Sequence, residues 1–146
     1  MPTRTRIRPA KPADPLAVAK LCLAAAQGKK AEEALLLDVA KASGYADYFL
    51  LLSGRSTRQA TAIAEAVQGA LKKSGVKPLG ADGVKDGRWA VLDFGDVVVH
   101  VFHHPVREFY DLESLWSDAP RVAVDPAELE GLLPAPEPAR RPSWED

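Results

Sequence analysis

The 146-residue chain predicts an α/β fold of the α+β kind, a mixed β-sheet flanked by helices, on three observations. Two short, continuous apolar runs at 34–39 and 48–52 are too short for helices and too uninterrupted for half-exposed strands, so they predict strands buried on both faces. Two longer segments, 15–27 and 57–73, repeat apolar residues at helical spacing between capping signals. Two β-rich runs, 89–93 and 97–102, flank Phe94-Gly95-Asp96 and predict an antiparallel hairpin.

Each element has its own local cause. Asp14-Pro15 places a capping carboxylate before a proline at the first helical position, and Leu16, Ala19, Leu23 and Ala26 then recur until Gly28. Ser43-Gly44 separates the two buried strands. Ser53-Gly54-Arg55-Ser56 turns out of the second, where Ser56 and Gln59 have capping-box spacing. Ala60, Ile63, Ala64, Val67 and Leu71 form the apolar stripe of the second helix, which Lys72, Lys73 and Gly75 close. Residues 76–79, with Pro78, predict an edge strand or loop. Pro105 opens a last core helix running to 116, with Val106, Phe109, Tyr110, Glu113 and Trp116 on one face. Beyond Pro120 the prolines multiply among acids and alanines, predicting a short helix at most and then disorder. The expected organisation is a flexible basic arm at 1–13, one domain at 14–122, and a Pro-rich acidic tail at 123–146.

Composition excludes several functions. No apolar run approaches the ~18 residues of a membrane span, and no secretory signal opens the chain, so a cytoplasmic location is expected. Cys22 is the single cysteine, which rules out an internal disulfide and reads as a buried small hydrophobe. Charge is uneven along the chain. Residues 1–30 hold seven Lys/Arg against one Asp, while residues 117–146 hold three against seven Asp/Glu. The basic start is suited to non-specific contact with RNA phosphates, although most such arms are simply solvated. Pro2, Pro9 and Pro12 oppose the amphipathic helix that an organelle transit peptide needs.

The residues for catalysis are present without the patterns. His100, His103 and His104 tempt a metal assignment, but in a strand 100 and 103 face opposite sides and 100 lies about 13 Å from 104 at ~3.3 Å per residue. Asp93-Phe94-Gly95 spells a kinase fragment without the other kinase motifs. The Ser53-Gly54 turn before a helix resembles the phosphate-binding joint of nucleotidyltransferases. Those enzymes hold Mg²⁺ with carboxylates at i and i+2, whereas Asp93 and Asp96 are three apart with a turn between. No cofactor, metal or catalytic residue is predicted; a nucleotidyltransferase-like enzyme acting on a nucleotide or RNA is the alternative. Residues 85–116 are dense in aromatic and charged groups, and Trp89, Asp93, Asp96, His100, Arg107, Tyr110 and Glu113 are the expected partner-binding residues, although Trp89 and Tyr110 also suit a core.

These residues resemble the ribosomal silencing factor (RsfS) family, also called the Iojap or YbeB-type family, over roughly residues 16–122. The likeness rests on Lys30-Ala31, Asp38-Val39, Ala46-Asp47-Tyr48-Phe49, Ser53-Gly54-Arg55-Ser56 with Arg58-Gln59, Gly87-Arg88-Trp89, the run from Leu92 to Phe102, and the run from Arg107 to Trp116. Asp82-Gly83 stands where the family more often has Glu-Gly. The resemblance implies a mixed-sheet fold similar to a nucleotidyltransferase core without its catalytic carboxylates. It also implies a translational repressor that binds the large ribosomal subunit at ribosomal protein L-fourteen and blocks joining of the small subunit when nutrients are scarce. Further expected partners are rRNA, touched by the basic arm, and a second copy of the chain when free.

Overall fold

The computed structural model describes residues 14–44 and 46–133; the expected arm at 1–13 and the end of the expected tail at 134–146 lie outside them. Five strands form one mixed sheet: β1 (Glu32–Asp38), β2 (Tyr48–Gly54), β3 (Gly80–Asp82), β4 (Trp89–Asp93) and β5 (Val97–His103). Their order is β1-β2-β5-β4-β3, with β2 and β5 parallel and every other pair antiparallel. The parallel pair is central. That position explains the continuous apolar runs, because β2 and β5 are covered on both faces and have no solvent side to present.

One face is covered by α1 (Pro15–Gln27) and α3 (Thr57–Lys73), whose stripes include Ala19, Cys22, Leu23, Ile63, Val67 and Leu71. Cys22 is fully buried, and burial pushes its thiol pKa up, as the small-hydrophobe reading requires. Asp14 caps α1 by accepting from Ala17 N at 3.0 Å. Ser56 caps α3 by accepting from Gln59 N at 3.0 Å. The reciprocal half of the expected capping box is replaced. The Gln59 amide oxygen accepts from Arg55 N at 2.6 Å, and its nitrogen donates to the carbonyls of Lys29 and Lys30, tying α3 to the end of α1. A Cβ on Gly54 would stand 2.9 Å from Ala60 N, so only glycine lets β2 end against the first turn of α3.

The opposite face, with Phe49, Leu51, Val98 and Phe102, is covered by α4 (His104–Tyr110), α5 (Leu112–Leu115) and Trp116. The single helix expected from 105 to 116 is two. Asp111 adopts the left-handed conformation, φ 47° and ψ 51°, which ends α4 and redirects the chain into α5. Residues 76–79 form a loop, and the edge strand follows it as β3. At the other edge the chain returns to β1, with Asp38 N donating to Pro120 O at 2.9 Å and Val122 N to Leu36 O at 2.8 Å. Past residue 122 the short helix is α6 (Pro126–Leu129): Asp125 caps it, Leu129 is buried in the α1 and α3 core, and Glu128 meets Lys20 at 3.1 Å.

Candidate partner-binding surface

Alternation along β4 sends Ala90 and Leu92 into the α1 and α3 core and Trp89, Val91 and Asp93 to the α4 side. Trp89 begins the strand, directly under α4. Its indole stacks on Phe102 with ring centres 4.9 Å apart, lies 5.0 Å from the ring of Tyr110, and donates from Nε1 to His100 Nδ1 at 3.2 Å. Tyr110 in turn meets Phe109 edge-on at 5.0 Å. Phe109 is 80 % exposed, Tyr110 55 % and Leu115, at the end of α5, 75 %. A cleft of about 470 Å³ opens between Trp89, Pro105, Phe109, Tyr110 and the Asp86–Arg88 ion pair, whose arginine hydrogen bond holds the Asp86 carboxyl below its usual range.

Two expected site residues lie beneath this surface. His100 is 8 % exposed, enclosed by Phe49, Trp89 and Phe102, and desolvation pushes its pKa down to about 4. Arg107 is 6 % exposed. Its guanidinium donates to Glu33 O at 2.7 Å, to Ser53 Oγ at 2.8 Å, and twice to Glu113 Oε2 at 3.3 and 3.0 Å. One side chain therefore joins the start of β1, the end of β2, α4 and α5. Glu113 reaches Arg107 across the break at Asp111, and not within the single helix expected from 105 to 116.

Asp93 and Asp96 are elsewhere. Asp93 ends β4, its Oδ1 accepting from Gly95 N at 2.8 Å, and Asp96 lies in the β4–β5 turn, its carbonyl accepting from Asp47 N and Tyr48 N. Asp93 shares a face with Trp89 but stands at the other end of the strand, about 13 Å away at ~3.3 Å per residue. The carboxylate that lines the aromatic cleft is Asp86, paired with Arg88. Glu33, Glu108, Asp111 and Glu113 line a separate cleft of about 340 Å³ with Arg107 and His104, whose Nδ1 lies 3.2 Å from Glu33 and Nε2 3.3 Å from Glu108. Of this acidic rim sequence reasoning named Glu113 alone; it did not single out Glu33, Glu108, Asp111 or Leu115, and placed Phe109 only as part of a helix face. The signal available in the sequence was two adjacent aromatics, Phe109 and Tyr110, set between Glu108 and Asp111.

Among the described residues no group of three or more His, Cys, Asp or Glu side chains is placed to hold a metal ion. Among the described residues no helix is long and apolar enough to cross a membrane. Residues 12–145 match the family described as "Ribosomal silencing factor during starvation". The chain belongs to the ribosomal silencing factor family. It is 42% identical over 108 residues to a ribosomal silencing factor of Bacillus subtilis, spanning 74% of this chain and 92% of that protein. It is also 33% identical to a chloroplastic Iojap protein of Arabidopsis thaliana, over 77% of this chain and 47% of that protein. A crystal structure of a Chromobacterium violaceum protein superposes with a TM-score of 0.71 at 36% identity, covering 80% of this chain and 98% of the other. The role that goes with this family is ribosome silencing, and with it the regulation of translation.

Proposed function

We propose that this silencing factor binds the large ribosomal subunit at ribosomal protein L-fourteen and keeps the small subunit from joining by occupying the space between them, holding translation down when nutrients are limiting. The observation that carries the surface assignment is the exposed Phe109–Tyr110 pair, backed by Trp89 and flanked along the chain by Glu108 and Asp111. Large aromatic faces left open to water on a braced support are the anchors typical of a binding hot spot. The acidic rim complements a basic ribosomal-protein face and steers the encounter. Steric occlusion needs affinity and bulk at one place and no reacting group.

In this reading Trp89, Tyr110 and Phe109 form the centre of the contact, and Glu113 and Arg107 hold α4 and α5 in place. Asp93 and Asp96 fall outside the centre. The test is co-sedimentation with large subunits, together with subunit joining on sucrose gradients, for Phe109→Ala, Tyr110→Ala, Asp96→Lys and the control Glu65→Lys on α3. The two alanine variants should bind about 10- to 100-fold more weakly, equivalent to ~1–3 kcal/mol, and lose the block. Asp96→Lys and Glu65→Lys should stay within about threefold of the unsubstituted protein. If the alanine variants fold and still block joining as well as the control, the surface is elsewhere. Metal-dependent turnover of labelled nucleotide would favour the enzymatic alternative.

A further inference from the structure

Among the described residues, one buried side-chain polar atom has no hydrogen-bond partner: Nε2 of His100. The other ring nitrogen, Nδ1, lies 3.2 Å from Nε1 of Trp89. An indole N–H only donates, so Nδ1 is the accepting, unprotonated nitrogen. The proton of the neutral ring is then on Nε2, where it meets no acceptor. Such an arrangement is a cost to the fold, since a buried donor gives up water and gains nothing in return.

Packing alone gives no reason for histidine at this position. The ring is surrounded by Phe49, Trp89 and Phe102, and an apolar side chain would fill that space without an orphaned donor. What histidine adds is an acceptor beneath the indole. We propose that His100 is a positioning residue of the partner-binding surface, fixing the rotation of the Trp89 ring on which Tyr110 rests and never touching the partner itself. This inference depends on the surface reading above. With its N–H held, the indole keeps one orientation between Phe102 and Tyr110. Released, the ring gains other rotations, and the Phe109–Tyr110 pair loses its fixed support.

Two measurements on the full chain test this. In the ¹⁵N-labelled protein, long-range ¹H–¹⁵N correlations should report the Nε2–H tautomer of His100, and the Trp89 indole proton should exchange slowly; an Nδ1–H tautomer overturns the inference. The second compares His100→Leu with His100→Asn. Leucine removes both the acceptor and the orphaned donor, whereas the asparagine Oδ1 stands near the place of Nδ1 but leaves a gap and unpaired amide hydrogens. Thermal stability should therefore be higher for Leu than for Asn, while large-subunit affinity should run the other way, with His100→Leu about tenfold weaker than the unsubstituted protein. Binding that follows stability overturns the inference, because that is what a purely structural histidine gives. Trp89→Ala separates the two levels. If it binds weakly while His100→Leu binds tightly, only the positioning role fails; if it binds as the unsubstituted protein does, the surface reading fails and this inference with it.

Discussion

Arg107→Met should lower folding stability by about 3–5 kcal/mol, the range for breaking a buried ion pair from one side. The guanidinium makes four hydrogen bonds, to the Glu33 carbonyl, to Ser53 Oγ and twice to Glu113. Bonds to a charged group are worth ~1.5–3 kcal/mol each, and desolvation of the guanidinium offsets much of that gross sum. What the methionine leaves behind sets the net. The Ser53 hydroxyl is fully buried and loses its donor, whereas the Glu113 side chain is 32% exposed and recovers some water. The lower part of the range, about 3 kcal/mol, is therefore expected. Glu113→Gln keeps an acceptor and should cost about 1–2 kcal/mol, and the double variant should cost less than the two together by ~1–2 kcal/mol, as contacting residues do. Urea unfolding followed by tryptophan fluorescence measures all three, with a shared slope as the check on two-state behaviour. A loss below about 1 kcal/mol for Arg107→Met, accompanied by failure to bind large subunits, would refute the anchoring argument and return Arg107 to the contact surface.

Two further outcomes follow from buried groups. The pKa of His100 is lowered from 6.5 to about 4 by burial. Between those values the unfolded chain takes up a proton that the fold excludes, so this contribution is complete above about pH 6.5 and falls by about 3 kcal/mol as the pH drops to 4. Urea midpoints across that window should fall more steeply for the unsubstituted protein than for His100→Leu; parallel curves would contradict the assignment. Leu129→Ala should destabilise by about 2 kcal/mol, at the low end for a large-to-small change because the site is at the rim of the core. An unchanged unfolding midpoint would mean that α6 does not hold to α1.

How far the sequence revealed the molecule depended on whether the cause was local. The bounds of α1 and α3 were legible to the residue, since Asp14, Pro15, Ser56 and the paired lysines act within one turn of the helix they delimit. The start of β1 was not. Glu32 and Glu33 break the apolar pattern, and Glu33 sits at φ 51° where the register with β2 shifts, a feature fixed by the Arg107 contact from far along the chain. The division of α4 from α5 was hidden for a related reason, because the helical spacing of Val106, Phe109 and Glu113 runs through Asp111 unbroken. Alternation along residues 89–93 puts Trp89 and Asp93 on one face, yet period-two reasoning says nothing about which end of a strand meets a helix. The depth of His100 followed from β5 lying between β2 and β4, and neighbouring runs along a chain do not show which strand will be central.

The closure of β1 by residues 120–122 has a bearing on the order in which the protein can be made. Leu36 and Asp38 receive their outer hydrogen-bond partners only from Val122 and Pro120, after every strand of the sheet has been synthesised. Until then a nascent chain presents a strand with unpaired backbone on one side and apolar residues on both faces, the surface most apt to pair with another chain. At the opposite edge β3 has three residues and offers too short a register for the same fault. A polypeptide that stops before Pro120 would thus retain all five strands and still differ from the finished protein in kind: it would be a template for self-association.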